Sequence, residues 1–270
     1  MSELERINTI LKEYGLNAKK SFGQNFLVNE GIIKRIVDKM QVDQFKTVIE
    51  IGPGLASLTL PMSKKANKLI AVDADRDMIM VLNDIFKDSS NVTIIQSDFL
   101  RFDPDLYSSM DERLIIGNLP YNITSELIEY MLKKGFKRAG FMVQKEVADK
   151  LTYIQNKKDN TALGAFIKMT GDLNLVTDVD SSCFNPAPKV QSAFLMIDQK
   201  NKVDFSLYTI LKALFKESNK IIVNSLKPYK IYDKAILKIK EEKEAILSYR
   251  ARQLTSDELY SLALFIKENM

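Results

Sequence analysis

Seven strand-like segments interleaved with helical patterns, then a tail with helical patterns only, predict a doubly wound α/β domain followed by a small all-helical domain. Two further observations say where a ligand site would lie. The first of these strands runs into Gly52-Pro53-Gly54, and the fourth runs into Asn118-Leu119-Pro120-Tyr121. Both turns sit at carboxyl ends of strands, the edge at which open α/β sheets bind ligands.

Leu4, Ile7, Ile10 and Leu11 fall at helical spacing, and the helix they predict ends near Gly15. S-F-G-Q-N-F-L at 21–27 follows Lys19 and Lys20. It reads as a loop pinned by Phe22 and Phe26 that presents Gln24 and Asn25, or as a loop simply folded on a domain edge. Ile32, Ile33, Ile36, Val37 and Met40 form a helical core stripe. Thr47–Ile51 is the first strand of the sheet, and the glycines after it let a backbone approach a ligand closely.

Lys68 to Asp73 is the second strand. Its terminal acid lies about 20 residues past the glycines, where an acid binds ribose hydroxyls. The third glycine of a dinucleotide fingerprint would fall at 57, which is Ser57, so the pattern favours a nucleoside over a pyrophosphate ligand. Val92 to Asp98 is the third strand. Asp98, with Phe99 beside it, can accept from an adenine amino group, or it can simply cap the next segment.

Leu114-Ile115-Ile116 is the fourth strand, ended by Gly117, and Ser125 to Leu132 is helical. Between them, Asn118 Oδ1 and the Leu119 carbonyl can accept from an exocyclic amino group while Tyr121 stacks on its base. An ordinary strand-to-helix turn with a buried tyrosine has the same spelling. Ala139 to Val143 is a fifth strand, with a helix then running to about Ile154. Leu173–Val179 and Ala193–Ile197 complete the sheet as an antiparallel pair around the proline-stiffened loop 183–190. After Asp198 a polar linker leads to helices rich in lysine, from Lys212 to Lys243, which form a solvated face or an RNA-contacting one. Thr255 and Glu258 form a capping box for the last helix.

Composition removes several classes. There is no histidine among the 270 residues, so imidazole catalysis and most transition-metal sites are excluded, and no metal is expected. The single cysteine, Cys183, excludes an internal disulfide. No apolar run is long enough for a membrane span, no signal peptide is recognisable, and a cytoplasmic monomer is the default expectation. A net charge of +4 is only a mild cationic bias.

F-G-Q-N-F-L at 22–27, E-I-G-P-G-L-A at 50–56, N-L-P-Y-N-I at 118–123, Q-K-E at 144–146 and F-N-P-A-P-K-V at 184–190 together resemble the KsgA/Erm-type rRNA adenine N6-dimethyltransferases. The resemblance is to the KsgA branch. It is strong over 19–195 and looser beyond, at N-S-L 224–226 and R-x-x-Q-L-T 250–255. It implies a Rossmann-like class I methyltransferase domain over 1–198 and an RNA-binding, substrate-orienting helical domain over 203–270.

By the same resemblance, S-adenosylmethionine is bound by Asn25, Leu27, Gly52, Asp73, Asp98 and Asn118. The target adenine is held by Asn118, Leu119, Pro120 and Tyr121, with Phe184 on its other face. The substrate implied is small-subunit rRNA within a pre-ribosomal particle, dimethylated at two adjacent adenosines near its 3′ end. Two departures stand out: Asp73 replaces the more usual glutamate, and the usual basic stretch is reduced to Lys216-Glu217-Ser218-Asn219-Lys220. The alternatives are an Erm-type enzyme acting on large-subunit rRNA and a non-catalytic assembly factor on the same fold.

Overall fold

Helices need partners for their first N–H groups, and this chain places a short polar side chain at many helix entries. Ser2 caps α1 (Glu3–Glu13) in a capping box with Glu5. After the two-residue strand β1 (Phe26–Leu27), Asn29 caps α2 (Glu30–Met40), whose Ile33, Ile36, Val37 and Met40 are buried as their spacing predicts. The computed structural model describes residues 1–19 and 23–270, without the side chain of Lys243. Lys20, Ser21 and Phe22 of the expected pinned loop lie outside the described residues.

Parallel strands covered on both faces read as unbroken apolar runs rather than alternating ones. β2 (Thr47–Ile51) is buried at every position. Then come α3 (Thr59–Ser63), β3 (Leu69–Asp73), α4 (Arg76–Ile85), β4 (Val92–Gln96), β5 (Arg113–Asn118), α5 (Thr124–Lys134) and β6 (Arg138–Gln144). The rest is α6 (Lys145–Leu151), α7 (Ala162–Thr170), β7 (Gly171–Val179), β8 (Phe184–Asn185), β9 (Ser192–Gln199), α8 (Ser206–Phe215), α9 (Ile222–Leu226), α10 (Asp233–Lys243) and α11 (Ser256–Glu268).

The seven strands of the main sheet run in the order β4-β3-β2-β5-β6-β9-β7. β2 pairs parallel with both β3 and β5, so the winding reverses direction there, and a crevice opens beyond the carboxyl ends of these strands. β9 runs antiparallel to β6, with Phe141 opposite Leu195. A separate two-stranded ribbon pairs β1 with β8, Phe26 opposite Asn185 and Leu27 opposite Phe184. Nothing local in two dipeptides so far apart in the chain predicts that pairing.

The chain divides into two compact units. The first holds Met1–Lys145 and Asn174–Asp198, and the second holds Glu146–Leu173 and Gln199–Met270. This is not the single cut after Asp198 that the change of texture suggests. α7 packs on α8 and α11, with Phe166 edge-on to Phe205 at 5.4 Å, so its apolar surface groups it with the later helices. α7 itself had no sequence expectation. Only Lys168 of its nine residues is exposed, so it shows no polar face to mark a helical period. The helix after the fifth strand stops at Leu151 rather than near Ile154.

Candidate active site

The crevice beyond β2 to β5 is lined by Asn25, Gly52, Asp73, Asp98, Asn118 and Pro120 among others. Close backbone approach makes it possible. Ile51 lies opposite Gly117 in the β2–β5 ladder, and a Cβ on Gly117 would stand 2.5 Å from the Ile51 carbonyl oxygen. Gly52 turns the chain out of β2 with φ +65°, a left-handed conformation that glycine adopts without strain. Gly54 follows in the left-handed region at φ +54°, and Ala56, a non-glycine, is held there as well at φ +69°.

Asp73 ends β3 and faces back to the glycine turn. Its Oδ2 accepts from the Gly54 N–H at 3.3 Å and its Oδ1 from the Asp75 N–H at 2.9 Å. Burial pushes its carboxyl up to about 6, against the pull of those two N–H donors. Behind it stands Glu50, 2% exposed on β2, whose Oε2 finds no hydrogen-bond partner among the described residues. Burial pushes Glu50 up to about 8, so it stays protonated at neutral pH.

Asn118 is oriented by what it donates. Its Nδ2 gives a 2.9 Å hydrogen bond to the Asn25 carbonyl, so the amide orientation is fixed and Oδ1 is left as the acceptor. Asn25 is held in turn by its own Nδ2 on the Gly23 carbonyl at 3.1 Å, and it leads directly into the β1–β8 ribbon. The turn after Asn118 is braced by Thr124 Oγ1 and the Ile123 N–H, which donate to the Pro120 carbonyl at 3.0 and 3.2 Å. Tyr121 is half-buried, with its hydroxyl 2.6 Å from Ser192 Oγ.

The capping reading of Asp98 is realised, and the residue also faces the crevice. It is exposed at the crevice, and its Oδ1 caps the following turn by accepting from the Leu100 N–H at 3.0 Å. Phe99 beside it also lines the crevice, stacked on Phe102 at 5.7 Å. The remaining expected residues stand apart. Leu27, Leu119 and Phe184 are 2%, 2% and 4% exposed and, like Tyr121, do not line the crevice. Phe184 points inward from β8 into the apolar cluster that holds Leu27, Met142 and Phe194.

Sequence reasoning missed Glu50, Lys19 and Asp75 as participants, and it read Gln24 only as an amide presented by its loop. Glu50 was visible as the one charged residue in a buried apolar strand, a signal in itself. Gln24 donates to Asp75 Oδ2 at 2.7 Å and accepts from the Lys19 N–H at 2.8 Å, and Lys19 Nζ reaches Asp75 at 2.6 Å. Those links tie the segment before β1 to the turn after β3, and no local pattern announces them. Among the described residues, no three His, Cys, Asp or Glu side chains gather as a metal site, and no helix is long and apolar enough to cross a membrane.

The strand order, with β9 antiparallel between β6 and β7, and the crevice at the switch point define a Rossmann-like methyltransferase fold. The chain belongs to the ribosomal RNA adenine dimethylase family, whose model matches residues 15–266. Ribosomal RNA small subunit methyltransferase A of Mycoplasmopsis pulmonis is 37% identical over 258 residues, 93% of this chain and 100% of that protein. The protein of the same name from Metamycoplasma arthritidis is 39% identical over 216 residues, 78% of this chain and 82% of that one. The crystal structure of a dimethyladenosine transferase from Plasmodium falciparum shares the fold with a TM-score of 0.76 at 23% identity, over 90% of this chain and 98% of that one.

Proposed function

We propose that this protein is an S-adenosylmethionine-dependent rRNA methyltransferase that converts adenosines of small-subunit rRNA to N6,N6-dimethyladenosine. Two adjacent adenosines near the 3′ end are its targets, and it meets them in a pre-ribosomal particle, as a monomer in the cytoplasm. The observation that carries this is the locked Asn118 amide, whose Nδ2 is engaged by Asn25 so that Oδ1 can only accept. The names of the two relatives support the small subunit over the large one. The intact polar crevice supports an enzyme over a non-catalytic assembly factor.

The crevice fits the cofactor on its own chemistry. Gly52 bares its backbone, Asp73 and Asp98 bring acceptors for ribose hydroxyls and an adenine amino group, and Ile51, Val72 and Phe99 give apolar walls for a ring. Asn25 and Asn118 close the other side, and Leu27 stands behind them with its side chain in the core. When bound, S-adenosylmethionine supplies an electrophilic methyl group.

Adenine N6 is a poor nucleophile because its lone pair is delocalised into the ring. Asn118 Oδ1 and the Leu119 carbonyl accept from its two hydrogens, favour a pyramidal nitrogen, and match the positive charge that develops on it. Pro120 fixes the turn that aims both acceptors, so catalysis rests mainly on orientation. No histidine base is needed, since the proton held at these oxygens leaves to solvent after transfer. The target base must leave its stack, and stacking on Tyr121 offsets part of that cost. Phe184 can take the opposite face only by turning out of its apolar cluster. The second unit, with residues 203–270, orients the RNA.

The test is mass spectrometry of nucleosides from unmodified small subunits incubated with protein and S-adenosylmethionine. Dimethyladenosine is the expected product. Monomethyladenosine alone would keep the site and remove the second transfer. No methylated adenine, with cofactor binding shown, would sink the enzymatic reading.

A further inference from the structure

Within the second unit, α8, the segment 229–232 and the end of α11 enclose an apolar groove. Tyr229 and Tyr232 lie in it edge to face at 5.9 Å, and Ile231 projects at its rim, 59% exposed. Three lysines line it, Lys212, Lys216 and Lys267, and no aspartate or glutamate among the described residues does; Lys212 Nζ lies 4.8 Å from the centre of the Tyr208 ring. Lys216 Nζ sits 5.7 Å from the centre of the Tyr229 ring and has no carboxylate partner among the described residues. Lys267 is paired with Asp204, outside the groove. The segment K-P-Y-K-I-Y-D-K at 227–234 adds Lys227, Lys230 and Lys234, all exposed, against the single acid Asp233.

Lysines around one partly open tyrosine ring, Tyr229, and an exposed apolar ledge suit one chemistry well. A base can lie against the tyrosine and isoleucine while its flanking phosphates meet ammonium groups. An acidic peptide would use the charges but leave the ring face and Ile231 without a partner. We propose that this groove binds a single-stranded segment of the RNA substrate, one base lying against Tyr229 and Ile231 and its phosphates on Lys212, Lys216 and Lys230. The proposal rests on the rRNA reading above. It assigns the second unit a nucleotide-holding site separate from the methyl-transfer crevice.

Full-length protein and a fluorescein-labelled single-stranded 12-nucleotide RNA, titrated by anisotropy at several salt concentrations, test it directly. Tyr229→Ala should weaken binding roughly tenfold, the scale of one lost base stack. Ile231→Glu changes an exposed side chain and puts a carboxylate in the groove, so it should weaken binding comparably without a folding defect. Lys212→Ala with Lys216→Ala should lower the salt slope by about two. On small subunits the same variants should raise KM and leave kcat and cofactor affinity as in the wild type.

Wild-type affinity and salt slope in Ile231→Glu would overturn the proposal. So would displacement by polyglutamate or anionic vesicles with no measurable RNA affinity. If the wild type methylates while these variants bind RNA normally, the groove falls and the rRNA reading stands. If the wild type fails to methylate but the variants lose RNA binding as described, the reading falls and the groove stands.

Discussion

Arg113 and Glu50 are both buried in the same sheet, at opposite ends of neighbouring strands, and their surroundings could hardly differ more. Arg113 opens β5 with no exposed surface. Its Nε donates to the Gly135 carbonyl at 2.8 Å, its Nη1 to Asp105 and the Ser108 carbonyl at 2.8 and 3.2 Å, and its Nη2 to the Lys134 carbonyl. Glu50, near the end of β2, keeps an orphan oxygen and is held protonated by burial. A buried charge with all three of its nitrogens donating is scaffold. Buried polar groups left without a partner need an explanation, and Glu50 Oε2 is one that stands behind the crevice; Ser108 Oγ, beside Arg113, is another. The contrast is therefore between the two ionisable side chains, one held on all its nitrogens and one with an unpartnered oxygen.

The contrast can be broken most forcefully at Arg113. Arg113→Ala would strip partners from three carbonyls and Asp105, and should cost roughly 3–5 kcal/mol in denaturant unfolding. A loss below about 1 kcal/mol would show those bonds to be dispensable. Asn118→Ala acts at the crevice, and the outcome reverses. Methyl transfer should fall about 100- to 1,000-fold, the scale of one lost transition-state hydrogen-bonding group, while unfolding stability and RNA binding stay near wild type. Equal loss of turnover and RNA binding would refute the assignment of Asn118.

Asp73 sharpens the comparison through pH. Ribose hydroxyls need the ionised carboxylate as acceptor, and its carboxyl sits at about 6. Cofactor affinity measured calorimetrically should therefore weaken below pH 6, by up to about tenfold per unit, and the Asp73→Asn variant should show a flat profile roughly 10- to 100-fold weaker. Glu50 sharpens it through the slope of stability with pH. Burial raises its folded value from the ordinary 4.5 to about 8, so the folded state holds the extra proton. Stability from this group is full below pH 4.5 and is lost as pH rises towards 8, with a slope of at most about 1.4 kcal/mol per pH unit. Glu50→Gln should remove that slope from thermal unfolding curves, and an unchanged slope would mean that Glu50 does not titrate as its burial implies.

The legible parts of this protein are those with a period or a punctuating residue. Strands such as Thr47–Ile51 and Leu173–Val179 were readable because a run of apolar or β-branched residues stops at a glycine, an acid or a polar loop. The crevice was readable at Gly52, Asp73, Asp98 and Asn118 because all four lie at or just past the carboxyl ends of parallel strands. The β1–β8 ribbon was not, since its two strands have no local spacing to relate them. Phe184 shows the same limit: its type suggested a stacking face, and the pleat of that short ribbon turned it into the core. α7 was lost for the opposite reason, being too uniformly apolar to show a helical period.

The ribbon also sets an order of assembly on the ribosome. Asn25 emerges early in synthesis, yet the strand that holds its neighbour, β8, ends at Asn185. At translation rates of about 5–20 residues per second, roughly ten to thirty seconds separate the two. During that interval a nascent chain already has the glycine turn and Asp73 in sequence, but it lacks the clasp that seats Asn25 against Asn118. The crevice beyond β2 to β5 is therefore completed late in translation.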